Sequence, residues 1–268
     1  MEKIKFSKII LILILMFSYF GCATDSEEVI KRPSRSPVKH IYLESEEIFA
    51  YFEVTNISEY KKLIPSIFSM PEKPLCRVAV RDFYKMESGP PYIKSMIDIL
   101  VKYKKSPNEK EISVWYCLEM PVTTEDALWG RFLYGDPKVL RKVTFERYEN
   151  RYIGTSYGRD GKLPMLKLIL EVRKVELTPD EKSFLDFVTP IQAVTIKDDK
   201  LFWWAGIKYK IYELEKIAPR NFKVKFGDCS IEYPNDSKNY LYRLGVSKFI
   251  VGYWSKFSGR SEGMLIRE

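Results

Sequence analysis

Along most of this chain hydrophobic and polar positions alternate with a period of two, the pattern of strands that bury one face. Ile48-Phe49-Ala50-Tyr51-Phe52 is a short apolar run of strand type, and Cys76-Arg77-Val78-Ala79-Val80-Arg81 alternates. Residues 97–103 and 112–118 flank Ser106-Pro107-Asn108-Glu109, which predicts a hairpin loop. Residues 143–148 and 152–157 predict a second hairpin around Glu149-Asn150-Arg151. Further strands are expected over 166–172, 202–212, 222–233 and 248–254. Helices are few and short. Ser58 is placed to cap one that Pro65 stops, and Thr123 or Thr124 to start one that carries Gly130 and Arg131. Gly135 suits the left-handed terminator of that second helix, and Pro137 forbids its continuation. In Thr178-Pro179-Asp180-Glu181, a threonine cap, a proline at the first helical position and a glutamate completing a capping box coincide. The pattern predicts an α+β chain, mainly β: a single closed or partly closed antiparallel β-barrel with a few short helices.

Residues 1–21 do not share this pattern. Lys3, Lys5 and Lys8 precede an apolar run of twelve residues, 9–20. A membrane-spanning helix needs about 20, so the run has the layout of an export signal. It ends in Tyr19-Phe20-Gly21-Cys22, a small residue before a cysteine, which resembles a bacterial lipobox with Tyr19 in place of the usual aliphatic residue. Residues 1–21 are therefore read as a lipoprotein signal peptide and Cys22 as the lipidation site. The expected location is the bacterial cell envelope, with the protein attached to a membrane through lipid on Cys22. Residues 22–40, with Pro33, Ser34, Ser36 and Pro37, hold too little apolar surface to offset ordering and read as a flexible tether. The folded domain is expected over 41–268.

Composition narrows the functions available. Hydrophobic residues at 46% and aromatics at 15% support a substantial core. The net charge of +8 is spread along the chain and interleaved with acidic residues. That is the pattern of a solvated mixed surface, so no nucleic-acid partner is expected, and anionic lipid is the better match for the charge. Cys76, Cys117 and Cys229 fit no zinc spacing and are expected as buried thiols, with neither metal nor cofactor. Gly154-Thr155-Ser156-Tyr157-Gly158 matches the Gly-x-Ser-x-Gly pattern of serine hydrolases, but the sole histidine is His40, in the tether. Serine–histidine and cysteine–histidine catalysis lack their base. In Phe202-Trp203-Trp204, strand alternation puts one tryptophan in the core and the other outward.

One lysine stands in a different setting from the rest. Lys138 follows Pro137 and precedes Val139 and Leu140, just past the predicted helix end. An ordinary lysine, with a pKa of about 10.4, is an ammonium at neutral pH, and desolvation frees the amine for imine chemistry. The helix C-terminus opposes this by at most about 1–2 kcal/mol, whereas full burial can lower the pKa by about three units or more. An inward-pointing side chain decides the matter.

The blocks around Lys138 carry a resemblance. Gly130-Arg131-Phe132-Leu133 followed by Pro137-Lys138-Val139-Leu140 resembles the acetoacetate decarboxylase family, in which a helix ending in Gly-Arg-x-Leu runs into a Pro-Lys-Lys-Leu turn. Gly89-Pro90-Pro91-Tyr92-Ile93-Lys94-Ser95 resembles the family's Gly-x-Tyr-x-Glu-Ser stretch, and Tyr60-Lys61-Lys62-Leu63-Ile64-Pro65 its short helix ending at proline. The match spans residues 47–170 and extends more loosely into the C-terminal third. It implies a barrel fold and a Schiff-base lysine at Lys138, with Arg131, Val139 and Tyr92 in the substrate pocket. The departures are Val139 in place of the family's second lysine and Lys94 in place of its acidic residue. With both lysines in one cavity, Lys94 supplies the like charge that Val139 lacks, so Lys94 is a second candidate catalytic residue. The resemblance thus implies a lyase acting on a small keto acid or related carbonyl compound. The competing reading is a non-catalytic lipoprotein that binds a small carbonyl or apolar ligand, and a homo-oligomer is compatible with both.

Overall fold

The computed structural model describes residues 33, 40–198, 200–204 and 210–262. The signal peptide, Cys22 and almost all of the tether lie outside the described residues.

Alternation builds one mixed sheet of thirteen strands. Its path begins at β11 (Lys200–Trp204) and runs through β10 (Ala193–Lys197), β5 (Ile112–Val122), β4 (Tyr92–Tyr103) and β3 (Leu75–Ser88). It continues through β1 (Ile41–Val54), β13 (Val246–Glu262), β12 (Phe222–Glu232), β9 (Pro164–Val172), β8 (Arg151–Tyr157) and β7 (Val143–Arg147). Short β2 (Phe68–Ser69) pairs with β4, and β6 (Lys138–Leu140) pairs with β5. β6 and β10 run parallel to β5, and every other pairing is antiparallel.

The expected barrel is not closed. Among the described residues no ladder joins β7 to β11, and the free edge of β5 is occupied by β10 and β6. The sheet instead curls until side chains meet across it. A Cβ on Gly154 of β8 would fall 2.5 Å from the side chain of Val80 on β3. Arg147 of β7 pairs with Glu46 of β1 at 2.9 Å and with Asp82 of β3 at 2.5 Å. At Gly154 the missing side chain lets the backbone of β8 approach β3 closely, yet no hydrogen-bonded ladder joins the two strands.

Period-two alternation gives the sheet two buried faces. Ile48, Phe52, Val78, Val80, Ile97, Ile99 and Leu168 fill the interior of the curl. Tyr51, Leu75, Leu100, Trp115 and Tyr253 point the other way and pack with Leu185 and Val188 of a helix. That helix is α3 (Pro179–Val188), and Thr178 makes both halves of the predicted capping box with Glu181. Cys76, Cys117 and Cys229 are buried free thiols.

Local corrections are confined to helix ends and one strand. The first helix, α1 (Ile57–Leu63), is capped by Asn56 rather than Ser58, whose hydroxyl donates to Asn56 Oδ1 at 2.9 Å. The helix expected from residue 124 is a 3-10 turn over Asp126–Leu128 followed by α2 (Trp129–Tyr134), without a side-chain cap. Of the strand expected over 202–212, β11 holds the residues to Trp204, 205–209 lie outside the described residues, and Ile211–Glu213 form a 3-10 turn that leads into α4 (Leu214–Ile217). The side chains of Trp203 and Trp204 lie outside the described residues. A last helix, α5 (Tyr240–Leu244), precedes β13. Among the described residues no helix is long and apolar enough to cross a membrane.

Candidate active site

The site forms where α2 turns into β6. Gly135 takes a left-handed conformation (φ +72°), and its N–H donates to the Arg131 carbonyl at 3.1 Å. A side chain there would run into the Ile196 carbonyl, so glycine is required on two counts. Pro137 then sends the chain along β5, where Met120 N–H donates to its carbonyl at 3.0 Å and Lys138 opens β6 opposite Met120. Placing Lys138 at the first residue of a strand just past a helix end is as the sequence predicts.

Lys138 is 8% exposed, and its Nζ lies 3.0 Å from Asp136 Oδ2. Asp136 is itself 1% exposed, and neither carboxylate oxygen has a further hydrogen-bond partner. The ion pair lies against the backbone of α2, because Gly130 has no side chain. A Cβ there would overlap both Lys138 Nζ and Asp136 Oδ2.

Lys94 comes from the middle of the sheet. On β4 it faces Arg81 of β3 as its cross-strand neighbour, and its Nζ lies 5.7 Å from the centre of the Phe83 ring. Its pKa is pulled down to about 8, first by burial and then by the charges of Lys138 and Arg81, with Asp136 and Cys117 acting in the opposite direction. Arg81 is engaged elsewhere: its guanidinium donates to Ser45 Oγ at 2.9 Å and lies 3.4 Å from Glu47.

Tyr92 completes the wall on the same face of β4. It stacks on Phe83 at 4.7 Å between ring centres, and its hydroxyl lies 3.1 Å from that of Tyr42. Burial raises the Tyr92 pKa well above its ordinary value. His40 packs against Tyr92 at 5.6 Å and Tyr42 at 6.3 Å. Burial lowers its pKa, the charge of Lys138 lowers it further and Asp126 opposes them. The residue that sequence reasoning puts in the tether is thus built into the rim of the site.

The structure therefore brings Lys138, Lys94 and Tyr92 together. Arg131 does not line the space with a free guanidinium, because its Nη1 donates to the Lys138 carbonyl at 3.3 Å and steadies the turn. Val139 follows Lys138 in a strand and so faces away from it. Sequence reasoning missed Asp136, Arg81, Phe83, Tyr42 and His40. Asp136 had a usable signal, an acid two residues before the candidate lysine, while Arg81 and Phe83 become visible only once β3 and β4 are in register. Ser156 of the hydrolase-like motif is buried within β8. Chemically the arrangement offers two amines, one carboxylate and an aromatic wall, the parts needed to form an imine with a carbonyl compound and hold it out of water.

The acetoacetate decarboxylase family profile matches residues 30–264. No curated protein sequence matches the chain at a significant level. Among solved structures, one of acetoacetate decarboxylase is 14% identical with a TM-score of 0.60, covering 90% of this chain and 94% of its own. Acetoacetate decarboxylase from Legionella pneumophila is 12% identical with a TM-score of 0.59, covering 93% and 95%. The enduracididine biosynthesis enzyme MppR, complexed with pyruvate, is 9% identical with a TM-score of 0.52, covering 90% and 94%. At these identities the likeness is one of fold.

Proposed function

The chain belongs to the acetoacetate decarboxylase family, and from that premise we propose a lipid-anchored, exported enzyme that forms imines with a small keto acid or related carbonyl compound. The observation that carries this reading is the convergence of Lys94 and Lys138 on one aromatic-walled site, with one of the two amines depressed to about 8. A neutral amine adds to the carbonyl carbon, water leaves, and the protonated imine accepts the electron pair of the bond to carbon dioxide or to a proton. Protonation of the resulting enamine and hydrolysis return the amine.

The test is reductive trapping. Cyanoborohydride with pyruvate, the compound bound in one structural relative, or with acetoacetate should add the reduced carbonyl mass to one lysine. Weak turnover of acetoacetate is expected, because Lys94 stands where the family has an acidic residue. A second reading, a binding lipoprotein without chemistry, draws support from the Lys138–Asp136 pair, which ties up one amine. Absence of any adduct from mildly acidic to mildly alkaline pH would decide for it.

A further inference from the structure

We infer that Lys94 is the imine-forming amine, and that Lys138 serves as the fixed cation of the site, the substrate being a monoanionic keto acid. The inference rests on the imine chemistry proposed above and assigns its parts. Its basis is how charges are matched within the site. Asp136 is buried, its oxygens have no other hydrogen-bond partner, and Lys138 Nζ lies 3.0 Å away. Taking Lys138 out of the pair would leave that carboxylate as an uncompensated buried charge, which is costlier than keeping it. Lys138 is therefore held by Asp136 rather than free to attack a carbonyl. Arg81 is matched in the same way, against Glu47 at 3.4 Å.

Lys94 has the opposite surroundings. Among the described residues no carboxylate lies within 4.0 Å of its Nζ, while the Phe83 ring lies 5.7 Å away. The groups acting on it are Lys138 and Asp136 from the α2–β6 segment, Arg81 from β3 and Cys117 from β5. Tyr92 lies on its own strand, and His40 packs against Tyr92 at the rim. Burial and the two cations favour its neutral form, and the depression of its pKa to about 8 agrees with that.

The same matching of charges selects the substrate. With Lys138–Asp136 and Arg81–Glu47 paired, Lys94 is left among the described residues of the cluster without a carboxylate partner of its own. When Lys94 forms a protonated imine, the positive charge stays at that nitrogen, and a single substrate carboxylate balances it. The carbonyl oxygen departs as water with two protons, one from the amine and one from solvent. On decarboxylation of a β-keto acid the carbon–carbon electron pair becomes the enamine double bond, the imine π pair moves to nitrogen, and neutral carbon dioxide leaves. Both charges vanish together, a change that a poorly solvated site favours. A neutral ketone would leave the iminium without its counter-charge.

The experiment is cyanoborohydride trapping of the full protein with pyruvate and, separately, with acetone, followed by peptide mass spectrometry. The adduct is expected on Lys94, with pyruvate trapped at least tenfold faster than acetone. The rate should rise about tenfold per pH unit below pH 8 and then level off, as the neutral fraction of an amine does. Lys94→Arg should lose the adduct without gaining one elsewhere. An adduct mapped to Lys138 in the unaltered protein would overturn this assignment while leaving the imine-forming function intact. No adduct on any lysine would overturn both. The mapping needs no variant, so it stands even where Lys94→Arg fails to fold.

Discussion

At the scale of single residues, the site is a contest over where one proton rests. A lysine whose folded pKa is about 8 against an ordinary 10.5 opposes folding at neutral pH, because the folded state must charge it at a cost. Between those two values the unfolded chain holds a proton that the folded chain has released, so stability rises with pH across that window. The gain is on the order of 3 kcal/mol if the shift is fully expressed. Urea unfolding of wild type and Lys94→Met from pH 7 to pH 10 should show this rise only in wild type, and parallel curves would sink the claim. Asp136→Asn tests the partner side of the contest. It strands the Lys138 ammonium beside a neutral amide in a buried site, with an expected loss of about 3–5 kcal/mol at pH 7 by the same unfolding measurement. Because Asp136 supports the charged form of Lys94, the trapping profile of that variant should also move to lower pH. Lys138 was legible in the sequence because its neighbours are local, within Gly130 to Leu140. The carboxylate that pairs with it was on the same stretch and was overlooked. Arg81 and Phe83 could not be read, since their nearness to Lys94 depends on the pairing register of two long strands.

At the scale of elements, the turn between α2 and β6 is where sequence and chemistry meet. Gly130 leaves the space that the ion pair occupies, and Gly135 supplies the left-handed residue that ends the helix. Gly130→Ala should add little strain to the helix backbone yet push the Lys138 and Asp136 side chains apart. The expected result is a folded protein whose trapping pH profile differs from wild type; an unchanged profile would show the pair has no part in setting it. Gly135→Ala should instead cost more than about 1–2 kcal/mol, since it adds left-handed strain to a clash with the Ile196 carbonyl. Both hairpins, the β9 strand, the α3 capping box and the αL stop at Gly135 could be read from sequence because each is written in contiguous residues. Helix starts were less legible. Asn56 outcompetes Ser58 because its carbonyl reaches the Glu59 N–H from outside the first turn, and the segment after β5 begins as a 3-10 turn that needs no side-chain cap.

At the scale of the whole molecule, alternation told where most of the long strands lie but not how many strands there are or whether the sheet would close. Closure depends on which strand takes the free edge of β5, and that edge is taken by β6 and β10 in parallel pairings set by chain segments far apart in sequence. Parallel pairing of β6 also has a functional effect, because it fixes Lys138 in line with Met120 rather than leaving it on a loop. Every side chain placed in the site, from His40 to Lys138, belongs to the sheet or to segments packed on it. The proposed membrane anchor, by contrast, lies in residues 1–22, outside the described residues. The two are expected to separate. Cys22→Ala should abolish labelling by a clickable fatty acid and release the protein from the membrane fraction, while trapping of pyruvate by the released protein proceeds at the wild-type rate. Labelling that persists in Cys22→Ala would remove the lipobox reading. Trapping that disappears on release, with folding intact by circular dichroism, would mean that the membrane completes the site, and that the sheet alone does not.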